Sequence, residues 1–306
     1  MRLLAFQHRS HPSQASHAAG NHTCIGVRHD DHIIDLTALA DPQIPRDIPA
    51  ILAGGSALRE LIEKSIAKAP ASAVVNPDAI IHQLPIPRPD KNIGLGKNYL
   101  NHVKEMGAEL PTFPGMFFRI PESMVAHNQP IWRPKLSDTL DYEGELMVII
   151  GKQGKDIPRE RALDYVGGYT CHNDGSIREY NRIPSALSSG KNFPHTGSMG
   201  PEIVTADELP RGCKGLQLQT HVNGELRQNA NISDMHWGVA DLISLMSGLF
   251  TLYPGDILST GTPGGVAAGF KPPKWLVPGD EVTVTIDEIG TLRNSIEDAP
   301  ASDSQV

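Results

Sequence analysis

The sequence predicts a mixed, β-rich α+β fold, and three observations support this fold class. Short apolar runs bounded by turn residues, such as Val282–Ile286, recur along the chain and are typical of strands. Glycine and proline, at 29 and 25 of 306 residues, are frequent enough for many turns. Amphipathic helical periodicity is confined to a few segments, such as Ser56–Ala69. A chain of this length can hold one large domain or a main domain with a smaller one.

Residues 1–85 are predicted to form a small N-terminal domain. Its first part alternates apolar runs with polar residues and indicates a β-meander that turns at His29-Asp30-Asp31. An amphipathic helix is expected over Ser56–Ala69, with Ser56 as its N-cap. Prolines at positions 85, 87 and 89 then form a stiff connector to a main domain expected over residues 91–298.

The N-terminal segment is rich in histidine, and its histidines are His8, His11, His17, His22, His29 and His32. Imidazole binds soft and borderline metals, so a metal-binding loop is one interpretation. The spacing matches no zinc motif, and solvated loop histidines are the simpler interpretation.

Charge and cysteine content restrict the class of protein. The net charge is −8, which disfavours nucleic acid or an anionic membrane as a partner. No run approaches the about 18 apolar residues of a membrane helix, and the N-terminal apolar core is too short for a signal peptide. Cys24, Cys171 and Cys213 are far apart and lack a Cys-x-x-Cys pair, which indicates reduced thiols in a cytoplasmic protein, with a prokaryotic or organellar location left open.

The stretch Asp141–Gly151 predicts a strand that ends in an apolar run. Because side chains alternate along a strand, Glu143 and Glu145 should share one face with Met147 and Ile149. Two carboxylates beside apolar sequence repel each other unless a cation lies between them. A divalent cation is the simplest candidate, since oxygen ligands suit magnesium, calcium and manganese. The alternative is that both glutamates lie on an ordinary solvated strand face.

A third carboxylate and a lysine follow this pair. A second strand is predicted over residues 166–174 and ends at Asp174. Aspartate at the end of a strand commonly forms a turn or cap, which is the alternative interpretation. Together with the two glutamates, Asp174 would complete a three-carboxylate site with room for water or substrate. Lys191 lies in a loop of small residues. It is either a solvated surface lysine or, beside the carboxylates, a counter-charge and oxyanion donor.

His102 and Glu105 are three residues apart, so one helical turn would place them side by side. A glutamate that accepts the hydrogen bond of a neutral histidine fixes its tautomer and raises its basicity. The alternative is an exposed pair on a helix that has no function.

The remaining elements are predicted from turn signals and periodicity. They are a helix over Pro158–Tyr165, a hairpin around Asn223-Gly224, a helix over Ser233–Leu249, and strands over Ile257–Thr260 and Val282–Ile286. A glycine-rich loop at residues 260–265 carries Thr262, whose hydroxyl could meet a carboxylate.

Several motifs in one order resemble those of the fumarylacetoacetate hydrolase family. They are Asn98-Tyr-x-x-His102-x-x-Glu105, Asp141-Tyr-Glu-x-Glu-Leu, Gly168-Tyr-Thr-x-x-Asn-Asp174-x-Ser-x-Arg178, Gly190-Lys191, Val222-Asn-Gly-Glu, Pro254-Gly-Asp and Thr260-Gly-Thr-Pro-Gly-Gly-Val. The resemblance extends from Asn92 to Glu297.

The resemblance implies a fumarylacetoacetase-type mixed β-sheet roll as the catalytic domain, preceded by a small N-terminal α/β domain, in a homodimer. It also implies Mg²⁺, Mn²⁺ or Ca²⁺ bound by Glu143, Glu145 and Asp174. The same resemblance implies that His102 and Glu105 lie on a lid over the substrate. It also implies that Lys191 lies near the metal as the third catalytic residue.

The matched motifs further imply substrate contacts, and the residues concerned are Tyr99, Arg119, Arg178, Asn181 and Thr262. Relatives commonly carry Ser-Ala-Arg-Asp-x-Gln where this chain has Ser-Ile-Arg-Glu-Tyr-Asn, so the shorter Asn181 should withdraw its amide from the substrate. Arg119 stands where lysine is frequent, and we expect it to bind a second substrate carboxylate through a bidentate contact.

The resemblance implies as substrate a small 2-oxo acid with a further carbonyl or unsaturation, such as the acylpyruvates of aromatic compound catabolism. The first expectation is a hydrolase that cleaves a C–C bond through a metal-stabilised enolate and water activated by His102 and Glu105. A same-family isomerase, decarboxylase, hydratase or oxaloacetate tautomerase is the alternative. A second alternative is a non-catalytic metal- or ligand-binding protein.

Overall fold

The computed structural model describes residues 1–9, 22–39, 41–183 and 188–301. Its strands are β1 (Arg2–His8), β2 (Cys24–His29), β3 (His32–Asp35), β4 (Val74–Val75), β5 (Ile80–Gln83), β6 (Asn92–Gly96), β7 (Gly115–Phe118), β8 (Met124–Val125), β9 (Ile131–Arg133), β10 (Leu140–Asp141), β11 (Gly144–Ile150), β12 (Val166–Asn173), β13 (Ser176–Ile177), β14 (Gly197–Thr205), β15 (Gln217–Val222), β16 (Glu225–Asn231), β17 (Ile257–Ser259), β18 (Glu281–Ile286) and β19 (Gly290–Asp298). His11 and His17 of the histidine-rich segment lie outside the described residues.

The α-helices are α1 (Ile48–Ala53), α2 (Gly55–Ile66), α3 (Leu100–Glu105), α4 (Arg178–Asn181) and α5 (Val239–Leu249). Within the described ranges, every helix is too short or too polar to cross a membrane. The abundance of strands over helices confirms the mixed, β-rich α+β fold class.

Two sheets organise the chain. The larger has the order β4-β3-β2-β1-β14-β12-β11-β17-β6-β7, with β5 on β1 and β8 on β14. The smaller has the order β16-β15-β18-β19-β9, and β10 pairs separately with β13. Pairing is mostly antiparallel, but β8 with β14, β6 with β17 and β9 with β19 are parallel. Because β1 pairs with β14, the N-terminal strands extend the main sheet. The domain boundary expected between residues 85 and 91 stays a prediction.

Strand β11 is central in the larger sheet and is buried along its whole length. Leu146 and Val148 face a core shared with α5 and the smaller sheet. Met147 and Ile149 face the opposite core, which includes buried residues of α1 and α2. Apolar groups thus cover both faces of the strand, so the polar residues just before it enter the interior of the protein.

The strand predicted over Asp141–Gly151 is interrupted at Tyr142 and Glu143. There the Glu143 amide donates to Oδ1 of Asn173 at 3.0 Å, and the Asp174 amide donates to the Glu143 carbonyl at 2.8 Å. Gly144 allows the backbone to pack closely against Thr220, because a Cβ at this position would lie 2.1 Å from Oγ1 of Thr220. These bonds, and not regular strand alternation, position Glu143.

In the N-terminal region the predicted meander is confirmed as β1, β2 and β3, with a tight turn at Asp30 and Asp31. The predicted N-cap at Ser56 is wrong, because α2 begins at Gly55 and Gly54 occupies the cap position. The preceding helix α1 was not predicted. Asp47 caps it by accepting a hydrogen bond from the Ala50 amide at 2.8 Å.

The C-terminal hairpin is confirmed, and Asn223 and Gly224 have the positive φ values of 51° and 78° that a type I′ turn needs. The helix predicted from Ser233 begins later, at Val239. The reason is tertiary: the Asn98 side chain binds the Trp237 backbone amide and carbonyl, at 2.7 and 3.0 Å, and holds this segment against the sheet. The predicted helix over Pro158–Tyr165 is a 3₁₀ helix over Arg159–Tyr165.

The fold predicts a pH-dependent stability from His82 and His127, whose rings meet edge to face with centroids 4.8 Å apart. Burial lowers the pKa of His82 from 6.5 to about 4 and that of His127 to about 3. As the pH falls below about 6.5, the unfolded chain binds protons that the folded protein excludes. The free energy of unfolding should therefore decrease between about pH 6.5 and about pH 4.

Chemical denaturation at a series of pH values measures this effect. In the double variant His82→Gln, His127→Asn, we expect a weaker decrease in stability, since fewer protons are taken up on unfolding. His32→Gln removes an exposed histidine from β3 and is the matched control. An unchanged pH dependence in the double variant would contradict the assignment.

Candidate metal centre and active-site cavity

Three carboxylates converge where β11 and β12 meet. Glu145 lies in β11 opposite His172, Glu143 immediately precedes β11, and Asp174 follows the end of β12. One oxygen from each of Glu143, Glu145 and Asp174 lies within 4.8 Å of the others. All three residues are buried, at 5%, 2% and 1% exposure. Such an oxygen-only set could hold a hard divalent cation.

Basic side chains surround two of these carboxylates. Lys191 Nζ binds the Glu143 carboxylate and donates to Oδ2 of Asp174 at 2.5 Å. Arg178 donates to Oε1 of Glu143 at 2.6 Å. Burial alone would raise the pKa of Asp174, but the Lys191 and Arg119 cations outweigh it and hold the pKa well below its ordinary value. In the same way, Arg178 and Lys191 outweigh the burial of Glu143 and lower its pKa.

Glu145 differs from the other two carboxylates. Its Oε2 accepts a hydrogen bond from the Gly261 amide at 2.9 Å. Burial, followed by the charges of Asp174 and Glu143, raises the pKa of Glu145 well above its ordinary value. Among the described residues, negative charge is therefore not compensated by a paired cation on the Glu145 side of the cluster. A divalent cation placed among the three carboxylates would correct it, so the donor set fits such an ion.

The His102–Glu105 pair lies on α3, with Nδ1 of His102 3.3 Å from Oε2 of Glu105. The other Glu105 oxygen accepts a hydrogen bond from the Gly265 amide at 2.9 Å. A Cβ on Gly269 would lie 2.2 Å from Oε1 of Glu105, so a glycine here leaves room for that carboxylate. The glycine-rich loop therefore fixes Glu105, and Glu105 in turn orients His102.

A cavity of about 270 Å³ brings the carboxylates and His102 together. Its charged lining consists of Glu143, Glu145, Asp174, Lys97, Arg178, Arg182 and Lys191. Four of these side chains are cationic and three are anionic, and Phe117 and Met106 supply apolar walls. The cavity has the size of a small organic acid, and its lining carries charged side chains of both signs.

Arg119 does not lie in this cavity, contrary to the sequence-based expectation. Its side chain is fully buried and donates to Asp174, to the Gly175 carbonyl, to Thr196 and, twice, to Ser123. These contacts use all five N–H donors of a guanidinium. Arg119 is therefore a counter-charge for Asp174, and the expected contact with a second substrate carboxylate is wrong.

Tyr99 does not line the cavity either, and its ring is 1% exposed in the hydrophobic core. Three other expected contact residues, Arg178, Asn181 and Thr262, do line the cavity. The Thr262 hydroxyl is already bonded, because it donates to the Gly144 carbonyl at 2.9 Å and accepts from Gln228 at 2.8 Å. Asn181 Oδ1 is buried and has no hydrogen-bond partner in the described part of the chain.

Two cationic residues of the cavity, Lys97 and Arg182, were not predicted. Lys97 follows β6 with a left-handed φ of 60°, and Arg182 follows α4. Each lies next to a recognised motif, one position before Asn98 and one after Asn181. Neither position carries a local sequence signal, because a single lysine or arginine after a short element is ordinarily solvated.

The comparisons with known proteins agree with this geometry. The family model described as fumarylacetoacetate (FAA) hydrolase C-terminal matches residues 91–297. The chain is 44% identical over 216 residues to the oxaloacetate tautomerase YisK of Bacillus subtilis (strain 168). The aligned residues cover 69% of this chain and 71% of that protein.

Solved structures show the same fold over nearly the whole chain. A fumarylacetoacetate hydrolase from psychrophilic Exiguobacterium antarcticum is similar with a TM-score of 0.80 and 31% identity, covering 98% of this chain and 100% of that one. A maleylpyruvate hydrolase from Sphingobium sp. SYK-6, in complex with manganese (II) ion and pyruvate, has a TM-score of 0.78 and 28% identity at the same coverage. The chain belongs to the fumarylacetoacetate hydrolase family.

Proposed function

We propose that this protein is a divalent-metal-dependent enzyme that interconverts the enol and keto forms of a 2-oxo dicarboxylic acid of the oxaloacetate type. One observation carries the proposal: His102, oriented by Glu105 at 3.3 Å, lines the same cavity as three buried carboxylates. The name of the Bacillus subtilis relative, oxaloacetate tautomerase, supports this substrate class.

Glu143, Glu145 and Asp174 are the proposed metal ligands, and Mg²⁺, Mn²⁺ or Ca²⁺ are the proposed ions, because all the donors are oxygens. The manganese (II) ion in the Sphingobium neighbour supports this assignment. When bound, the ion would supply Lewis-acid polarisation of the substrate's 2-oxo group.

His102 is the proposed general base. With Nδ1 directed at Glu105, Nε2 remains for the substrate, and it would take a proton from C3 of the keto acid. The C–H electron pair becomes the C2–C3 double bond of the enolate, solvent protonates the 2-oxo oxygen to complete the enol, and His102 releases its proton to solvent. The reverse sequence returns the ketone. Lys191 would balance the negative charge that develops on the substrate.

The proposed preference for a dicarboxylate rests on charge. Lys97 and Arg182 line the cavity in addition to Lys191 and Arg178, and Arg178 and Lys191 are already paired with protein carboxylates. Lys97 and Arg182 are thus the cations available for a second substrate carboxylate, the role first expected of Arg119.

Hydrolysis of a C–C bond in an acylpyruvate-like acid is the second candidate. The same His102–Glu105 pair would then activate a water molecule instead of removing a substrate proton. The Sphingobium neighbour, a maleylpyruvate hydrolase crystallised with pyruvate, favours this candidate.

Product analysis distinguishes the two functions. The purified protein with Mg²⁺ is supplied with oxaloacetate, whose enol is followed by its ultraviolet absorbance, and with acylpyruvates, whose products are identified by NMR. Faster enol–keto exchange without carbon loss supports the tautomerase, and pyruvate release from acylpyruvates supports the hydrolase. If neither reaction is accelerated, both proposals fail, and the isomerase, decarboxylase and hydratase activities and a non-catalytic binding protein are the alternatives that remain.

Substitution His102→Asn should lower kcat by about 10²–10⁴-fold, the usual contribution of a general base. Glu105→Gln should cause a smaller loss, because the imidazole remains but is no longer oriented by an anion. The Kd for Mn²⁺, measured by titration, should change little in either variant. Activity that survives in His102→Asn would exclude it as the base.

Removal of the metal by a chelator should abolish activity, and added Mg²⁺ or Mn²⁺ should restore it. Glu145→Gln should weaken Mn²⁺ binding by more than about 100-fold. Loss of a residue that only orients a metal ligand lowers the affinity by about 10–100-fold, and loss of the ligand itself should lower it further. Glu297→Gln, at an exposed position of β19, is the control. Equal Mn²⁺ affinity in Glu145→Gln and this control would contradict the ligand assignment.

Lys97→Met and Arg182→Met should each lower kcat/KM for oxaloacetate by about 10-fold or more, relative to a monocarboxylic 2-oxo acid, because a hydrogen bond to a charged group is lost. Lys104→Met removes an exposed lysine from α3 and is the matched control. If the ratio of the two kcat/KM values is unchanged, neither residue selects the second carboxylate.

A further inference from the structure

We propose that His8, Cys24 and Asp35 form a second cation site, separate from the carboxylate centre and suited to a thiolate-binding divalent ion of the zinc type. Potential ligand atoms of the three residues lie within 4.8 Å of one another. The proposal is independent of the enzymatic function, because it uses a different set of residues on β1, β2 and β3.

Strand register brings the three residues together. Phe6 of β1 is paired with Cys24, and Gly26 of β2 is paired with Asp35. Paired residues of antiparallel strands point to the same face, and so do residues two apart on one strand. His8, Cys24 and Asp35 therefore share one face at the same end of the three strands.

Asp35 is held in a fixed orientation by its own backbone surroundings. Its Oδ1 accepts hydrogen bonds from the Thr37 amide at 2.8 Å and the Ala38 amide at 3.3 Å. Its Oδ2 is directed at His8, 3.3 Å from Nε2. Because Asp35 is only 5% exposed, this arrangement presents one oxygen towards the histidine and the cysteine in a largely desolvated position.

The donor set selects a different kind of ion from the carboxylate centre. Thiolate, imidazole and carboxylate together are typical ligands of Zn²⁺, whereas Mg²⁺ and Ca²⁺ require oxygen. Three protein ligands leave the fourth tetrahedral position for water or a small ligand. Burial, together with the Asp35 charge, raises the pKa of the Cys24 thiol to about 11. Binding of the ion would therefore release the thiol proton to solvent as the sulfur–metal bond forms.

A competing interpretation is a histidine–aspartate pair beside an unrelated thiol. The imidazole of His8 is about half exposed, with 51% of its side chain accessible, and such a pair contributes little on its own. The thiol decides between the two interpretations, since only the metal site requires sulfur as a ligand.

Cobalt(II) titration of the metal-free full-length protein tests the proposal. A thiolate bound to Co²⁺ gives a ligand-to-metal charge-transfer band in the near ultraviolet, which the oxygen-only centre cannot produce. We expect this band in the wild-type protein, its loss on addition of Zn²⁺, and its absence in Cys24→Ser. His32→Gln, which removes an exposed histidine from β3, should retain it.

Zinc binding by equilibrium dialysis, in excess Mg²⁺, gives a second readout. Cys24→Ser should bind about one Zn²⁺ per chain fewer than the wild type, and Asp35→Asn should bind it at least about 10-fold more weakly. Thermal melts of the metal-free variants show whether each is folded, and the Mg²⁺-dependent reaction should be unchanged in Cys24→Ser. A missing thiolate band in the wild type, or equal zinc binding in wild type and Cys24→Ser, would overturn the proposal.

Discussion

The burial of three carboxylates in one place is the constraint on which the rest of the structure depends. Charges removed from water are costly unless they are paired, and like charges at this separation repel each other. The chain meets this constraint with Arg119 on Asp174, Arg178 on Glu143 and Lys191 between the two. Glu145 has no such cation among the contacts of the described residues, and this asymmetry is what makes the cluster suited to a metal ion.

The fold supplies the rigidity that such a cluster needs. Strand β11 is covered on both faces by apolar cores, and its neighbour β12 ends at Asn173, next to Asp174. Bonds between the two strand ends, from the Asp174 amide to the Glu143 carbonyl and from the Glu143 amide to Asn173, lock their relative positions. Carboxylates held by the main chain in this way stay in a fixed arrangement relative to one another, as a metal site requires.

The cavity is lined from two parts of the fold. The carboxylates, Lys191 and Arg178 come from the sheet and its immediate loops, whereas His102 comes from the short helix α3 and is oriented through the glycine-rich loop. His102 and the three carboxylates are therefore held by different elements of the fold. A relative named as a tautomerase matches this chain in sequence and one named as a hydrolase matches it in fold, and one fold can carry different activities.

The sequence by itself determined the strand-rich class and the hairpin at Asn223-Gly224, because turn chemistry and alternation are local properties. It indicated the three carboxylates through their motifs, whereas tertiary hydrogen bonds at the ends of β11 and β12 bring Glu143, Glu145 and Asp174 together. It could not place Arg119, since whether a guanidinium meets a substrate or a buried aspartate depends on contacts 55 residues away. Lys97 and Arg182 were missed for the same reason. The late start of α5 was decided by Asn98, 139 residues from the segment it binds. The tertiary structure also joined His8, Cys24 and Asp35, because the pairing register of β1, β2 and β3 determines which side chains become neighbours.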